Sequence, residues 1–231
     1  MNRLQSLNWT VATRWRKRRL SFELSLEEGK FLIELARKAV EQYLKTRKYA
    51  KAPENTPKKL LQHCGVFVTI NSITNGEKQL RGCIGYPYPT NPLAEAVIDS
   101  AINSATQDPR FYPLSLSELD DVVFEVSVLT PPESVEAKKP EEYVSKIKVG
   151  EDGLIVEKGI FKGLLLPQVP VEWEWCEEEF LCQCCIKAGL PPDTWLAKGT
   201  KIYKFKCVIA QETSPKGPVQ IVLPKDLKKL L

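Results

Sequence analysis

The run Val66-Phe67-Val68-Thr69-Ile70-Asn71-Ser72-Ile73-Thr74-Asn75-Gly76-Glu77-Lys78-Gln79-Leu80-Arg81-Gly82-Cys83-Ile84-Gly85 decides the fold. Val66, Val68 and Ile70 alternate with Phe67, Thr69 and Asn71, the period-two pattern of a strand. Asn75-Gly76 is a hairpin turn signal. The returning strand covers residues 79–85. Strict alternation there places Leu80, Gly82 and Ile84 on one face and Arg81 with Cys83 on the other. Such a hairpin needs an antiparallel sheet and something apolar to pack against.

The flanking sequence supplies helices. Ser25 and Glu28 form a capping box, followed by Leu32, Leu35, Ala36, Ala39, Val40 and Tyr43 at helical spacing. Asn91-Pro92 reads as an N-cap with proline at the first helical position. Leu93, Ala94, Val97, Ile98, Ala101, Ile102 and Ala105 then make an apolar face that ends near Asp108-Pro109. Ser115 and Glu118 make a second, shorter capping box. Residues 121–129 read as a strand with Val122, Phe124, Val126 and Val128 inward. Glu125 and Ser127 then face the other way, with solvent as the plain expectation for Glu125.

Further along, Leu154 to Val156 and Ile160 to Leu166 form a second hairpin turned near Lys158-Gly159. Residues 167–175 read as a loop bearing Pro and Trp. A helix follows, with Glu177, Glu178 and Glu179 in its first turn and Lys187 in its last, stopped by Gly189 and Pro191-Pro192. Residues 201–211 read as one late strand. Strands and helices mix without βαβ alternation, so the fold class is α+β, an antiparallel sheet flanked by helices. The division expected is a basic arm 1–20, a larger domain of 21–140 with 201–223, and a smaller domain of 141–200.

Composition narrows the function. The 231 residues carry a net charge of +4, but residues 1–20 hold six basic residues and no acidic one. The remaining residues have 27 basic and 29 acidic side chains, a net −2. A basic face over the whole body, the footprint of a nucleic-acid binder, is therefore absent. The arm reads as a solvated tail or as a contact for RNA, DNA or an anionic surface. It lacks the apolar core of a secretory signal, and no run reaches the roughly 18 apolar residues of a membrane helix. A cytoplasmic protein without membrane contact is expected.

One histidine, His63, excludes metal centres built on several imidazoles, and no metal site is expected. The seven cysteines are too sparse for a disulfide scaffold. Cys176, Cys182, Cys184 and Cys185 cluster without paired Cys-x2-Cys spacing. On a helix, Leu181, Cys184, Cys185 and Ala188 share one stripe, which suits core packing.

Leu80-Arg81-Gly82-Cys83-Ile84-Gly85 is the most distinctive stretch for chemistry. Two glycines bracket a thiol. Glycine permits close approach to the backbone, and a neighbouring arginine can lower a thiol pKa or hold an anion. A buried cysteine in a glycine-kinked strand is the plain alternative. The Gly82-Cys83-Ile84-Gly85 GxxG ends a strand, unlike the nucleotide-clamping loop of KH domains.

This hexapeptide resembles the hallmark of the AMMECR family, named from a chromosomal region linked to Alport syndrome, midface hypoplasia and elliptocytosis. The resemblance continues through Ala105, Asp108, Arg110, Phe111 and Pro113. It returns in Gly163 to Pro170, Glu172, Trp173, Phe180, Leu181, Cys185, Lys187, Ala188, Gly189, Leu190 and Trp195. It spans about residues 25–213 and is closest to the archaeal and bacterial branch. The resemblance implies a larger and a smaller domain with the motif near a cleft between them. It implies no settled activity and leaves the cofactor unknown. It also implies association with a Memo-like protein and a radical-SAM-type protein, which suggests a shared modification pathway.

Two functions stay open at this point. One is a small-ligand, peptide or enzyme site in the cleft, with Cys83 as nucleophile. Arg81, Gly82, Gly85, Asp108, Arg110, Gln168 and Glu172 would then bind the ligand, and acid–base work would fall to Asp108, Glu125 or Glu172. The other is a non-catalytic module that docks a protein or, through residues 1–20, an RNA.

Overall fold

The computed structural model describes residues 23–229; the basic arm 1–20 lies outside them. A capping box between Ser25 and Glu28 opens the helix α1 (Leu26–Thr46) as the sequence predicts. The hairpin follows as β1 (Gly65–Thr74) and β2 (Glu77–Tyr86), turned on Gly76 at φ +84°. Next come α2 (Leu93–Thr106), β3 (Val122–Leu129), β4 (Glu133–Ser134), α3 (Tyr143–Lys146), β5 (Gly153–Lys158) and β6 (Phe161–Leu165). The chain ends with α4 (Val169–Glu172), α5 (Glu177–Lys187), β7 (Lys201–Phe205), β8 (Cys207–Glu212) and β9 (Val219–Val222), besides short 3-10 turns.

Two antiparallel sheets result. One runs β2-β1-β3-β8-β9 and the other β4-β7-β5-β6. The α+β class and the antiparallel pairing agree with the sequence reading. On one face of the five-stranded sheet, Val66, Val68, Ile70, Phe124, Val126 and Ala210 pack against Leu32, Ile33 and Ala36 of α1 and Val97, Ala101 and Ala105 of α2. Each large side chain fully buried there contributes ~1.5–3 kcal/mol. Arg37 ties α1 to the sheet. It pairs with Glu212 (Nη2–Oε2 2.6 Å), and its Nη1 and Nη2 donate to the carbonyls of Leu119 and Val122. The Phe124 N–H donates to the same carboxylate at 2.7 Å.

The opposite face meets the second sheet. Leu129, Ile209 and Val222 pack with Ile155 and Phe205, and Phe67, Leu164 and Leu166 join them. Along this contact the sheets are joined by a packed apolar layer rather than separated by an open cleft. The second sheet's own core is Leu154, Val156, Phe180, Leu181, Cys184, Cys185, Trp195 and Ile202. Cys184 and Cys185 are packing residues on the stripe their spacing indicated.

Three readings are corrected. The single strand of residues 201–211 is two strands in different sheets. Lys206 is where the chain crosses, and the Thr130 N–H donates to its carbonyl while its own N–H donates to Thr130 Oγ1. Strand 201–205 therefore pairs in the second sheet, not with the larger unit to which the sequence assigned it. The Pro/Trp loop contains the one-turn helix α4, since a proline fits a first turn whose N–H would be unbonded anyway. Pro92, not Asn91, caps α2. Among the described residues no helix is long and apolar enough to cross a membrane.

Candidate functional site

Strand register builds the site. Cys83 faces Thr69, Thr69 faces Glu125, Glu125 faces Gln211 and Gln211 faces Gln220. Residues opposite one another across a ladder share a face, so these five form one polar row across the sheet. Two residues back along each strand lies the row of Gly85, Phe67, Ser127, Ile209 and Val222, which carries part of the apolar layer. The polar row therefore borders the inter-sheet packing. Thr69 Oγ1 donates to Cys83 Sγ at 3.3 Å, and Ser127 Oγ donates to Glu125 Oε1 at 3.3 Å. Lys78 reaches across to Gln211 Oε1 at 2.7 Å.

A β-bulge changes the motif. Asn71 faces Leu80 but Ile70 faces Gly82, so Arg81 is the extra, unpaired residue. A bulge breaks strict alternation. Leu80 now shares a face with Asn71 and thus with the Cys83 row. Arg81 turns aside to Glu118 (Nε–Oε1 3.1 Å) and to the Tyr112 carbonyl (2.8 Å). The expected Arg81–Cys83 face is therefore corrected, and Arg81 braces the segment after α2 instead.

The end of α2 clamps β2. Ser104 Oγ accepts from the Ile84 N–H and donates to the Val68 carbonyl, both at 2.7 Å, which inserts a hydroxyl into the hairpin ladder. A Cβ on Gly82 would lie 2.1 Å from the Ser104 carbonyl oxygen, so only glycine lets the helix come this close. A Cβ on Gly85 would lie 2.2 Å from the Val66 carbonyl oxygen. Contacts inside the protein thus account for both glycines, which the sequence had offered as ligand contacts.

Asp108 does the next step. It is buried, accepts the Cys83 N–H at 2.8 Å, and holds Arg110 through Nε at 2.9 Å and Nη2 at 2.7 Å. The Arg110 hydrogen bonds lead in holding its carboxyl at about 2. Asp108 and Arg110 thus sit together beside Cys83. Arg110 is exposed, and its Nη1 has no partner among the described residues.

Burial pushes the Cys83 thiol above its ordinary value; Thr69 and Arg110 oppose that shift, while Glu125 and Asp108 add to it. Burial thus works against a thiolate at Cys83. Burial also raises the Glu125 carboxyl, against the pull of Lys78 and Ser127 and with a push from Glu172. Glu125 thus faces the site rather than open solvent. Glu172 is raised by desolvation as well. Gln168 is buried, and its Oε1 has no partner. Two large aromatic side chains of neighbouring segments are exposed, Tyr112 at 90% and Trp173 at 68%. No group of three or more His, Cys, Asp or Glu able to hold a metal occurs among the described residues.

Sequence reasoning missed Thr69, Lys78 and Gln211. Its nearest signal was the Asn75-Gly76 turn, whose register alone would have put Thr69 opposite Gly82.

The bulged hairpin with its glycine-mediated helix clamp spans the distinctive hexapeptide, and the AMMECR1 family model matches residues 33–210 around it. The chain belongs to the AMMECR1 family. Protein PH0010 of Pyrococcus horikoshii is 58% identical over 200 residues, covering 86% of this chain and 97% of that protein. A Thermofilum pendens protein is 54% identical over 202 residues, 85% of this chain and 95% of that protein. Protein MJ0810 of Methanocaldococcus jannaschii is 51% identical over 196 residues, 85% of this chain and 96% of that protein. The crystal structure of PH0010, described as uncharacterized, superposes with a TM-score of 0.82 at 56% identity, covering 87% of this chain and all of that one.

Proposed function

We propose that the Cys83 face of this AMMECR1 protein binds a small or peptide ligand. One observation carries the reading. A half-buried thiol, a carboxyl with raised pKa and an arginine with a free guanidinium edge come together where the polar row borders the packed layer. Arg110, pre-oriented by Asp108, would hold a carboxylate or phosphate, since a planar guanidinium fixed on one edge offers its other edge to an anion. Burial favours the neutral acid at Glu125, which would then hydrogen-bond the ligand. Cys83 would contact the ligand as a thiol. Its raised pKa favours binding over nucleophilic attack, unless the ligand itself draws off the proton. Exposed Tyr112 and Trp173 would supply apolar contact.

The test is fragment binding followed by amide chemical shifts. Compounds bearing one carboxylate should move Thr69, Cys83 and Glu125, and Arg110→Ala should weaken them at least tenfold. Hits that all map to the separate cavity of about 270 Å3 lined by Cys207, Lys206 and Pro224 would remove the reading.

A further inference from the structure

The hairpin itself supplies a second recognition element, on the premise that the Cys83 face is a binding site. Ile73 faces Lys78, and Asn71 faces Leu80. Thr69, Asn71 and Ile73 lie on one face of β1, so Lys78 and Leu80 look the same way as the polar row. Ile73 and Leu80 are exposed there, at 36% and 41%.

The Lys78 contact shows how this end of the hairpin lies. Lys78 is level with Ile73, and Gln211 is level with Thr69 through Glu125. Gln211 is thus four residues along and three strands across from Lys78. In a flat sheet their backbones would stand roughly 19 Å apart, beyond the joint reach of a lysine and a glutamine side chain. Yet Lys78 Nζ donates to Gln211 Oε1 at 2.7 Å. The hairpin beyond the Arg81 bulge therefore curls over the row, as a bulge bends and twists its strand.

Lys78 brings a charge with it. An ammonium has three donors, and the neutral Gln211 amide takes one. Lys78 makes no ion pair among the described residues. Glu125 faces Gln211 in the row, but burial favours its neutral acid, so it does not cancel the ammonium. At the other end of the row, Arg110 stands beside Cys83 with Nη1 unpartnered among the described residues. The face thus has a cation at each end and two exposed apolar side chains on the overhanging hairpin.

We propose that the ligand carries two anionic groups joined by an apolar chain, one received by Arg110 and the other by Lys78, with Leu80 and Ile73 lining the chain. Taking up the second group fastens the hairpin over the ligand. A free α,ω-dicarboxylate has this chemistry, and so does a peptide whose acidic side chain precedes an apolar C-terminus.

The test uses isotopically labelled full-length protein at pH 7 and low salt. The probes are α,ω-dicarboxylates of graded chain length, each paired with the monocarboxylate of the same length, and the peptide N-acetyl-Glu-Leu-Leu with its C-terminal amide. One diacid length, or the free peptide, should bind at least tenfold tighter than its single-anion partner, and the class that does so identifies the source. That probe should shift the Ile73, Lys78 and Leu80 amides besides those of Thr69, Cys83 and Glu125. Lys78→Met, which keeps the apolar stem, should erase the advantage and leave monoacid binding unchanged, while Lys78→Arg should retain it. Single-anion probes that bind through Arg110 as tightly as their two-anion partners would overturn this proposal and leave the binding face standing. An advantage that survives Lys78→Met would overturn it too. No acid or peptide moving the Thr69, Cys83 and Glu125 amides would remove the binding face and this proposal together.

Discussion

Asp108→Asn is the sharpest perturbation of the site. Asparagine keeps the shape and can still accept the Cys83 N–H, but it removes the charge that holds Arg110. In the folded protein the carboxyl sits at about 2 rather than at 3.8. At 1.36 kcal/mol per tenfold change in proton affinity, that difference is about 2 kcal/mol. Arg110 is half-exposed, so solvent screening leaves about 1–2 kcal/mol. For a chain of this size that lowers Tm by roughly 2–8 °C. The sign follows from linkage. A depressed folded-state pKa stabilises fully above the unfolded value near 3.8, and the gain is lost as pH falls through about 2. Urea melts of both proteins at pH 7, 5, 3 and 2 should show a constant deficit at the first two. The curves should converge toward pH 2. No deficit at pH 7, or one unchanged at pH 2, would refute the assignment of Asp108 as the charged clamp.

Gly82→Ala should cost about 1–3 kcal/mol, because its Cβ would sit 2.1 Å from backbone oxygen in α2. Gly76→Ala, with open space but φ +84°, should cost about 1–2 kcal/mol from backbone strain alone, and a Gly82→Ala loss below about 1 kcal/mol would dismiss the helix clamp. Glu212→Ala strands the 12%-exposed Arg37 side chain and the Phe124 N–H, and about 3–5 kcal/mol should be lost in urea melts; under 1 kcal/mol contradicts the buried pairing. Iodoacetamide rates should place the Cys83 titration above the ordinary thiol value, with Thr69→Val moving it higher by removing the hydroxyl that favours the thiolate. A Cys83 that titrates below that value would contradict the burial that governs it.

Much of the fold was legible because its signals are local. The Ser25–Glu28 box, the Asn75-Gly76 turn and the valine alternation of β3 each follow from a few neighbouring residues. The bulge was not legible. Before it, hairpin pairs follow the turn, as in Ser72 with Gln79; beyond it, Thr69 faces Cys83 instead of Gly82. One inserted residue removed Arg81 from the site and admitted Leu80. The crossing at Lys206 was hidden for a similar reason, since β7 and β8 share one strand-like pattern and only pairing with different sheets divides them. Asp108 and Arg110 were singled out through the family resemblance, and the structure shows what no local pattern signals, that Asp108 accepts the Cys83 N–H while holding Arg110. Glu125 was assigned to solvent because alternation says which face a residue takes but not what covers that face.

The most direct measurement is iodoacetamide labelling of the native protein, read by peptide mass spectrometry. A binding face requires Cys83 to react without denaturant, ahead of buried Cys64, Cys184, Cys185 and Cys207. Cys83 reacting only together with those four, after unfolding, would make the face a packed interior and contradict the account.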